Sequence, residues 1–490
     1  MSKNFLLKSA FWLTVSEIIY NLSGYIIHSA MGRILGPADY GRYGLVITLT
    51  TMIIILIGNG IPTAMSKYLS EFFETKPEMV SAIKKQAIWL QISVIGITTL
   101  VFFLISPVIA NILGDPSLTR LFRISTLIIP SFAAASFYFY FYTGIHKFLL
   151  QSILKTLRSI FRVIIIVALA YFFKVEGSIY GYAIAPLAVF LIAFFIDKTR
   201  VSSQYPKNST ASFDWKKLAN YAWPITLFML FYEIFISIDL YLVQGILKNE
   251  HITGIYNGAL TVARIPYYLF YALTIILLPT ISKTTSQENH KETFSIISSS
   301  LRIMLVLLFP AIILMSIYSK QILSLFYGNS FSEGATAMSI LAIGVGFLTI
   351  FYVLSFVVNG AGKVKIPMWI AFAGFIVNSI SNYFFIQKYE IIGSAIATSI
   401  TSFVIMTVML YFINKLFSVR IKIKDLLRII TASSALLLAT FVLPDSKLLF
   451  LFSSLVAFVL YLIVLYLLGE IKKEDIVFLR NIAQRKKSAA

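Results

Sequence analysis

The 490-residue chain contains no cysteine. Disulfides, thiolate metal ligands and cysteine nucleophiles are therefore excluded. Histidine is scarce: His28, His146, His251 and His290 lie far apart and form no paired motif such as HExxH. Neither a metal nor any other cofactor is expected. Charge is scarce too. Asp, Glu, Lys and Arg make up 13% of the residues, against about 25% in an ordinary soluble domain. No GxxxxGK[ST] motif occurs, and no segment is large enough for a nucleotide-binding domain, which argues against direct drive by ATP. The loop acids, such as Asp39, Asp115 and Glu176, are isolated. A membrane glycosyltransferase or polymerase would need such groups clustered.

Apolar residues are abundant, at 58% of the chain. Fourteen bilayer spans of about 20 residues require about 280 apolar-dominated positions, and the composition supplies that many. The expected fold is an all-α integral membrane protein with 14 transmembrane helices. Hydropathy places the spans near 10–31, 43–63, 87–112, 121–143, 155–173, 178–197, 219–246, 256–279, 299–318, 334–358, 366–386, 391–413, 426–443 and 447–468. The first apolar run exceeds the 7–15 residues of a signal-peptide core, so it reads as a retained span with its N-terminus inside.

The net charge is +20, from 41 basic and 21 acidic residues. In a soluble protein this excess would point to nucleic acid. In a membrane protein basic residues gather on cytoplasmic loops. With the N-terminus inside, 30 of the 41 Lys and Arg fall on the inner side and nine on the outer, leaving Arg162 and Arg264 within spans. The bias predicts a multi-pass protein of the cytoplasmic membrane with both termini cytoplasmic and no nucleic-acid partner. A basic tail at 469–490 is read as an ordinary cytoplasmic tail able to touch anionic lipid head groups.

The chain also repeats itself at an offset of about 211–217 residues. Trp12 pairs with Trp223, PTAMSK (Pro62 to Lys67) with PTISK (Pro279 to Lys283), TGIHK (Thr143 to Lys147) with NGAGK (Asn359 to Lys363), and GYAIAP (Gly181 to Pro186) with GSAIAT (Gly393 to Thr398). The order is the same in both copies. This predicts an N-terminal lobe at 1–197 (spans 1–6), a cytoplasmic linker at 198–218, a C-terminal lobe at 219–413 (spans 7–12), and two further spans within 414–468. Even-numbered repeats insert the same way, giving a parallel-repeat transporter with its substrate between the halves. A cavity within one chain predicts a monomer.

Several stretches resemble a known family: GRILGPADYGRYG (Gly32 to Gly44), GNGIPTAMSKY (Gly58 to Tyr68), and VNSISNYFFI followed by IIGSAIATSI (Val377 to Ile400). Together with the six-plus-six-plus-two plan, they are similar to the polysaccharide-repeat-unit flippases of the multidrug/oligosaccharidyl-lipid/polysaccharide exporter superfamily. The resemblance covers essentially the whole chain. It implies a V-shaped, two-lobed transporter whose spans 1, 2, 7 and 8 line a central cavity. It also implies a cargo of polyprenyl- or dolichyl-(pyro)phosphate-linked oligosaccharide moved from the inner to the outer leaflet. Sibling families carry the peptidoglycan lipid precursor or cationic drugs, so a cation-coupled multidrug exporter is the alternative.

An ionisable residue at mid-membrane costs at least about 2.5–3.5 kcal/mol, and is usually paired or functional. Glu17, Arg162, Glu233, Asp239 and Arg264 are the residues of this kind. Arg264 in span 8 is the first choice for binding a lipid phosphate, because arginine stays protonated and binds phosphate at two points. The plainer alternative is an ion pair with Asp239 or Glu233. Asp239 and Glu17 are candidates for coupling to H+ or Na+. Lys155, Arg158 and Arg162 share one helical face; the first reading is snorkelling to the inner surface, and the sharper one is a site where lipid phosphate enters. Arg33 and Arg42 flank the outer mouth, where cargo would be released, although surface-loop charges are the default reading. The run FYFYFY (Phe137 to Tyr142) reads as an interfacial aromatic belt.

Overall fold

The computed structural model describes residues 3–58, 60–206, 212–419, 422–446 and 448–470. The basic stretch 471–490, Arg420, Lys447 and part of the linker (207–211) lie outside the described residues. The described residues contain helices and no strand. The order is α1 (Lys3–Gly58), α2 (Gly60–Phe72), α3 (Glu78–Ile112), α4 (Leu118–Ser125), α5 (Ile128–Gly144), α6 (Phe148–Ile196) and α7 (Trp215–Leu247). Then come α8 (Glu250–Ala263), α9 (Ile265–Ser286), α10 (His290–Ile317), α11 (Ser319–Tyr327), α12 (Ala335–Gly360), α13 (Lys365–Phe417), α14 (Ile423–Val442) and α15 (Leu449–Leu467). Ten helical segments among the described residues are long and apolar enough to cross a membrane. A helix suits that environment because it satisfies its own backbone polar groups.

Three of the long helices contain a sharp bend. Gly36 (φ 73°, ψ 174°) divides α1, Lys174 (φ 51°, ψ −131°) divides α6, and Glu390 (φ 50°, ψ −132°) divides α13. The expected loop at Arg33–Arg42 is therefore a one-residue break in a helix. Glycine adopts that left-handed φ without strain, and Pro37 restarts the helix at a position that needs no N–H. The predicted linker is likewise partly helical at its start. A π-helical turn (Asp197–Val201) and a 3-10 turn (Ser202–Gln204) extend α6, and Lys84 pairs with Asp197.

The 216-residue offset recurs in the backbone. The bend at Lys174 returns at Glu390 with nearly the same φ and ψ. Three residues beyond each bend stands a glycine, Gly177 or Gly393, whose missing Cβ makes room for the carbonyl oxygen of Leu169 or Phe385. The ends of α5 and α12 also match. His146 and Gly362 both have positive φ, and the N–H groups of Lys147 and Lys363 bond back to Tyr142 O (2.8 Å) and Val358 O (3.1 Å). The matched TGIHK and NGAGK segments are thus equivalent helix C-caps.

The chain forms two compact units. One comprises Met1–Gly258, Phe326–Ser330 and Ala371–Ser394, and the other Ala259–Leu325, Phe331–Ile370 and Ala395–Ala490. In the first, α5 is the centre. Five of the six FYFYFY rings are buried: Phe137, Tyr138 and Phe139 are 5% exposed, Phe141 and Tyr142 0%. They pack with Ala64, Met65, Leu69, Ile83 and Ala87 of α2 and α3. The run is core and not the expected interfacial belt, because α2 and α3 pack over five of its six rings. The Tyr142 hydroxyl donates to Ala193 O at 2.8 Å. By contrast α3 exposes Trp89, Ile97, Leu100, Leu104 and Ile112, the surface of a lipid-facing helix. In the second unit α9 packs on α12 and α10, and α14 on α10 and α15. Buried Glu470 holds Arg302 (3.6 Å) and Arg428 (3.2 Å) there.

Candidate functional site

Three polar constellations lie within the first unit. The first gathers α1 and α6 around Tyr20. Lys155, Arg158 and Arg162 recur at the i, i+3, i+7 spacing of one helix face, and all three lie over the Tyr20 ring, at 5.4, 4.9 and 4.4 Å from its centroid. Lys155 also pairs with Glu17. Arg162 Nη2 donates to Tyr20 O (3.2 Å) and Ser23 Oγ (2.9 Å). Arg158 is only 4% exposed and is enclosed by the rings of Tyr20, Phe132 and Phe139. Its Nε and Nη1, and Arg162 Nε, are buried with no hydrogen-bond partner among the described residues.

The snorkelling expectation for this run does not hold. The side chains turn inward to α1 because Tyr20 and Glu17 offer a ring face and a carboxylate there, and Arg158 is buried as a result. Two of the sequence candidates, Glu17 and Arg162, are thereby brought into one cluster. Tyr20 and the depth of Arg158 are what sequence reasoning missed. The charge spacing was the available signal, but it does not say which way a face points.

The second constellation centres on Asp239 of α7, which is fully buried. Its Oδ2 accepts from Tyr256 OH at 2.8 Å, and its Oδ1 from Leu240 N at 2.9 Å. Ser394 Oγ lies 3.0 Å from Tyr256 OH and 2.6 Å from Asn382 Oδ1. Asn382 Nδ2 donates to Asn378 Oδ1 (2.9 Å), and Asn378 Nδ2 to Phe235 O (3.3 Å). Asn378 thereby links α13 to α7. The network is buried and oxygen-rich, and it surrounds Asp239 with hydroxyl and amide groups of α8 and α13. Among the described residues no cluster of three His, Cys, Asp or Glu could hold a metal ion.

The third follows the Gly36 bend. Gly41 and Gly44 face α8, where an added Cβ would run into Glu250 O and Asn257 respectively. Gly254 in turn sits against Pro37 O. Small residues let two helix backbones approach this closely. Arg42 bonds Asp115 Oδ2 (2.9 Å) and Asp39 Oδ1 (3.3 Å). Arg33 Nε and Ser29 Oγ donate to Phe326 O, at 3.0 and 2.6 Å. His28 Nδ1 lies 2.9 Å from Tyr40 OH, which donates to Tyr327 OH at 3.2 Å. Both expected release-site arginines are therefore tied into helix contacts. Asp115 lies in the connection between α3 and α4. Burial raises its pKa, but hydrogen bonds from Ser117 and Arg42 outweigh that and hold it below the usual carboxylate value.

Arg264 belongs to the second unit. It stands at the junction of α8 and α9, half-buried, with φ −80° and ψ 0°. Its N–H bonds to Leu260 O at 3.2 Å, and Pro266 opens α9 just beyond. It thus sits at a helix start and not eight residues inside a continuous helix. Glu233 is half-buried on α7.

The sequence profile of the polysaccharide biosynthesis protein family matches residues 6–285, more than half the chain. The chain belongs to this family. A second profile, MatE, matches residues 220–384, which places the family member in the multidrug/oligosaccharidyl-lipid/polysaccharide exporter superfamily. An uncharacterized membrane protein of Methanocaldococcus jannaschii is 26% identical over 81% of this chain and 95% of its own length. A probable low-salt glycan biosynthesis flippase, Agl15 of Haloferax volcanii, is 23% identical over 46% of this chain and 47% of its own. Among solved structures, a lipid II flippase MurJ in an inward closed conformation superposes with a TM-score of 0.75 at 19% identity, covering 92% of this chain and 97% of that one. This member of the polysaccharide biosynthesis family is an integral membrane protein of the transporter type, and the two relatives named here for a function are flippases.

Proposed function

We propose that the chain exports polyprenyl- or dolichyl-(pyro)phosphate-linked oligosaccharide across the cytoplasmic membrane by alternating access, for surface polysaccharide or glycan assembly. The observation that carries this reading is the charge around Tyr20: two arginines and a lysine against one carboxylate, within helices long enough to span the bilayer. A cationic site in a low-dielectric surrounding favours an anionic cargo over an organic cation. The relatives named for glycan and lipid II flipping support the same direction.

On this reading the chain crosses the membrane fourteen times. The bends at Gly36, Lys174 and Glu390 each divide two crossings, and Arg264 lies within another. Both termini are cytoplasmic by the distribution of basic residues. The lobes are 1–197 and 219–413, joined by 198–218, with two helices in 414–468 and the tail 469–490; the matched bends and caps support this repeat. Arg162 and Arg264 contact the lipid phosphate, and Arg33 and Arg42 act at the outer release side. Asp239 couples transport to H+ or Na+, with Glu17 as a second acidic group. The transporter works as a monomer.

The test is flipping in reconstituted liposomes. A labelled polyprenyl-pyrophosphate oligosaccharide is placed in one leaflet and followed into the other. The expected result is protein-dependent movement that Arg264→Ala abolishes while the protein still folds. Uptake of organic cations against an ion gradient, with no lipid movement, would move the chain to the multidrug branch.

A further inference from the structure

We infer that the Tyr20 cluster is a phosphate-binding site that is closed, when empty, by the protein's own carboxylate, Glu17. The inference rests on the reading above for the kind of anion concerned, and on the geometry for everything else.

Three cations meet one acid here. The ionisable neighbours of Arg158 are Tyr20, Arg162, Glu17 and Tyr140, so Glu17 is the only carboxylate among them. It is paired with Lys155, and among the described residues neither guanidinium forms an ion pair of its own. Their buried Nε atoms and Arg158 Nη1 have no hydrogen-bond partner among the described residues. Buried donors left unmade are rare and call for a reason. The rings of Tyr20, Phe132 and Phe139 hold the Arg158 guanidinium in place without using its hydrogen bonds. Gly24 keeps α1 clear of Arg162, since an added Cβ would stand 3.2 Å from Nη2. The result is a preorganised set of N–H donors, the geometry that phosphate oxygens accept from.

Glu17 is the exchangeable member. Its side chain is 31% exposed, against 12% for Lys155. An arriving phosphate can take Lys155 and the free guanidinium donors, and the displaced carboxylate stays hydrated. Glu17 is then a competitor for the anion: it keeps the site neutral enough to remain folded when empty and lowers affinity enough to permit release.

The experiment measures dissociation constants for purified full-length protein in detergent. The probes are a polyprenyl phosphate, phosphatidylglycerol and inorganic pyrophosphate. The variants are Glu17→Gln, Arg158→Gln and Arg158→Lys. Removing the competitor should tighten binding by about two- to fivefold, the scale of a part-exposed ion pair. Arg158→Gln should weaken it by about tenfold or more, and Arg158→Lys by less. A response confined to polyprenyl phosphate, to phosphatidylglycerol or to pyrophosphate identifies the source as cargo, bulk lipid or free phosphate, and each supports the site. No binding of any probe, or binding unchanged or weakened in Glu17→Gln, overturns it. Should Arg158→Gln fail to fold, the Glu17→Gln measurement decides alone. Flipping assayed alongside separates the two proposals. Flipping without a Glu17 response sinks this inference only, whereas a Glu17 response without oligosaccharide flipping sinks the transport reading only.

Discussion

Helix α1 is two different materials on either side of Gly36. Before the bend, Glu17, Tyr20 and Ser23 meet three cations of α6, and donors remain unmade. After it, Gly41 meets the backbone of α8, Gly44 meets the Asn257 side chain, and Arg42 is matched by Asp115 and Asp39. One stretch leaves charge available; the other spends its chemistry on close approach and neutrality. The difference shows where a ligand can act and where helices are meant to stay in contact. A satisfied, tightly packed crossing has nothing to offer a ligand, whereas a half-satisfied cationic cluster does.

The same substitution on the two stretches gives the sharpest break. Gly254→Ala forces a methyl into Pro37 O and should destabilise the protein by about 1–3 kcal/mol or more. Gly24→Ala meets only the flexible end of Arg162 and should change stability by under about 1 kcal/mol, helped by alanine's helix propensity. Thermal unfolding in detergent measures both. Equal effects would erase the contrast between close-packed and open.

On the charged side, Arg162→Ala removes two charge-assisted hydrogen bonds, at Tyr20 O and Ser23 Oγ. We expect transport to fall by about tenfold or more, with the unfolding midpoint less affected than in Gly254→Ala. A variant that loses stability but keeps its specific transport rate would mark the cluster as structural. Asp239→Asn tests the other buried acid. If it couples transport, the dependence on a pH or sodium gradient disappears; an unchanged dependence removes Asp239 from the mechanism.

Smaller effects belong to the packed side. Tyr327→Phe deletes the hydroxyl that accepts from Tyr40 and should cost about 1 kcal/mol. Asp115 gives a pH signature. Its folded pKa is held below the ordinary value, so its contribution is present above the unfolded pKa and is lost as pH falls through the folded one. With Arg42 about one-third exposed, that contribution is about 1 kcal/mol or less. Asp115→Asn should flatten the acid limb of the stability curve by that amount, and an identical acid limb would show that Asp115 contributes nothing.

Much of this was legible in the residues. The apolar runs mark most helices, and the TGIHK and NGAGK pair marks a cap that recurs in the backbone 216 positions on. The stretch Gly32 to Gly44 drew attention by its glycines before their use was visible. Gly36 makes the bend, Gly41 and Gly44 admit α8, and Gly32 leaves room for Tyr327. What was not legible is direction. FYFYFY has the composition of a membrane interface but is buried on α5. Lys155, Arg158 and Arg162 have the spacing of a snorkelling face but turn to Tyr20.

The sequence by itself determined that the chain lives in a membrane as helices and that it repeats, and its motifs resemble those of exporters. The first two conclusions follow from composition and period, which are local or additive. Only the tertiary structure decided which charges are shared and which are left over. The reason is physical: a side chain's value as ligand or as mortar depends on what lies opposite. For Arg158 that is three aromatic rings and a distant acid, and for Arg42 it is two carboxylates. Those partners come from 19 to 141 residues away or from one turn along the same helix, and nothing in the linear order ranks them.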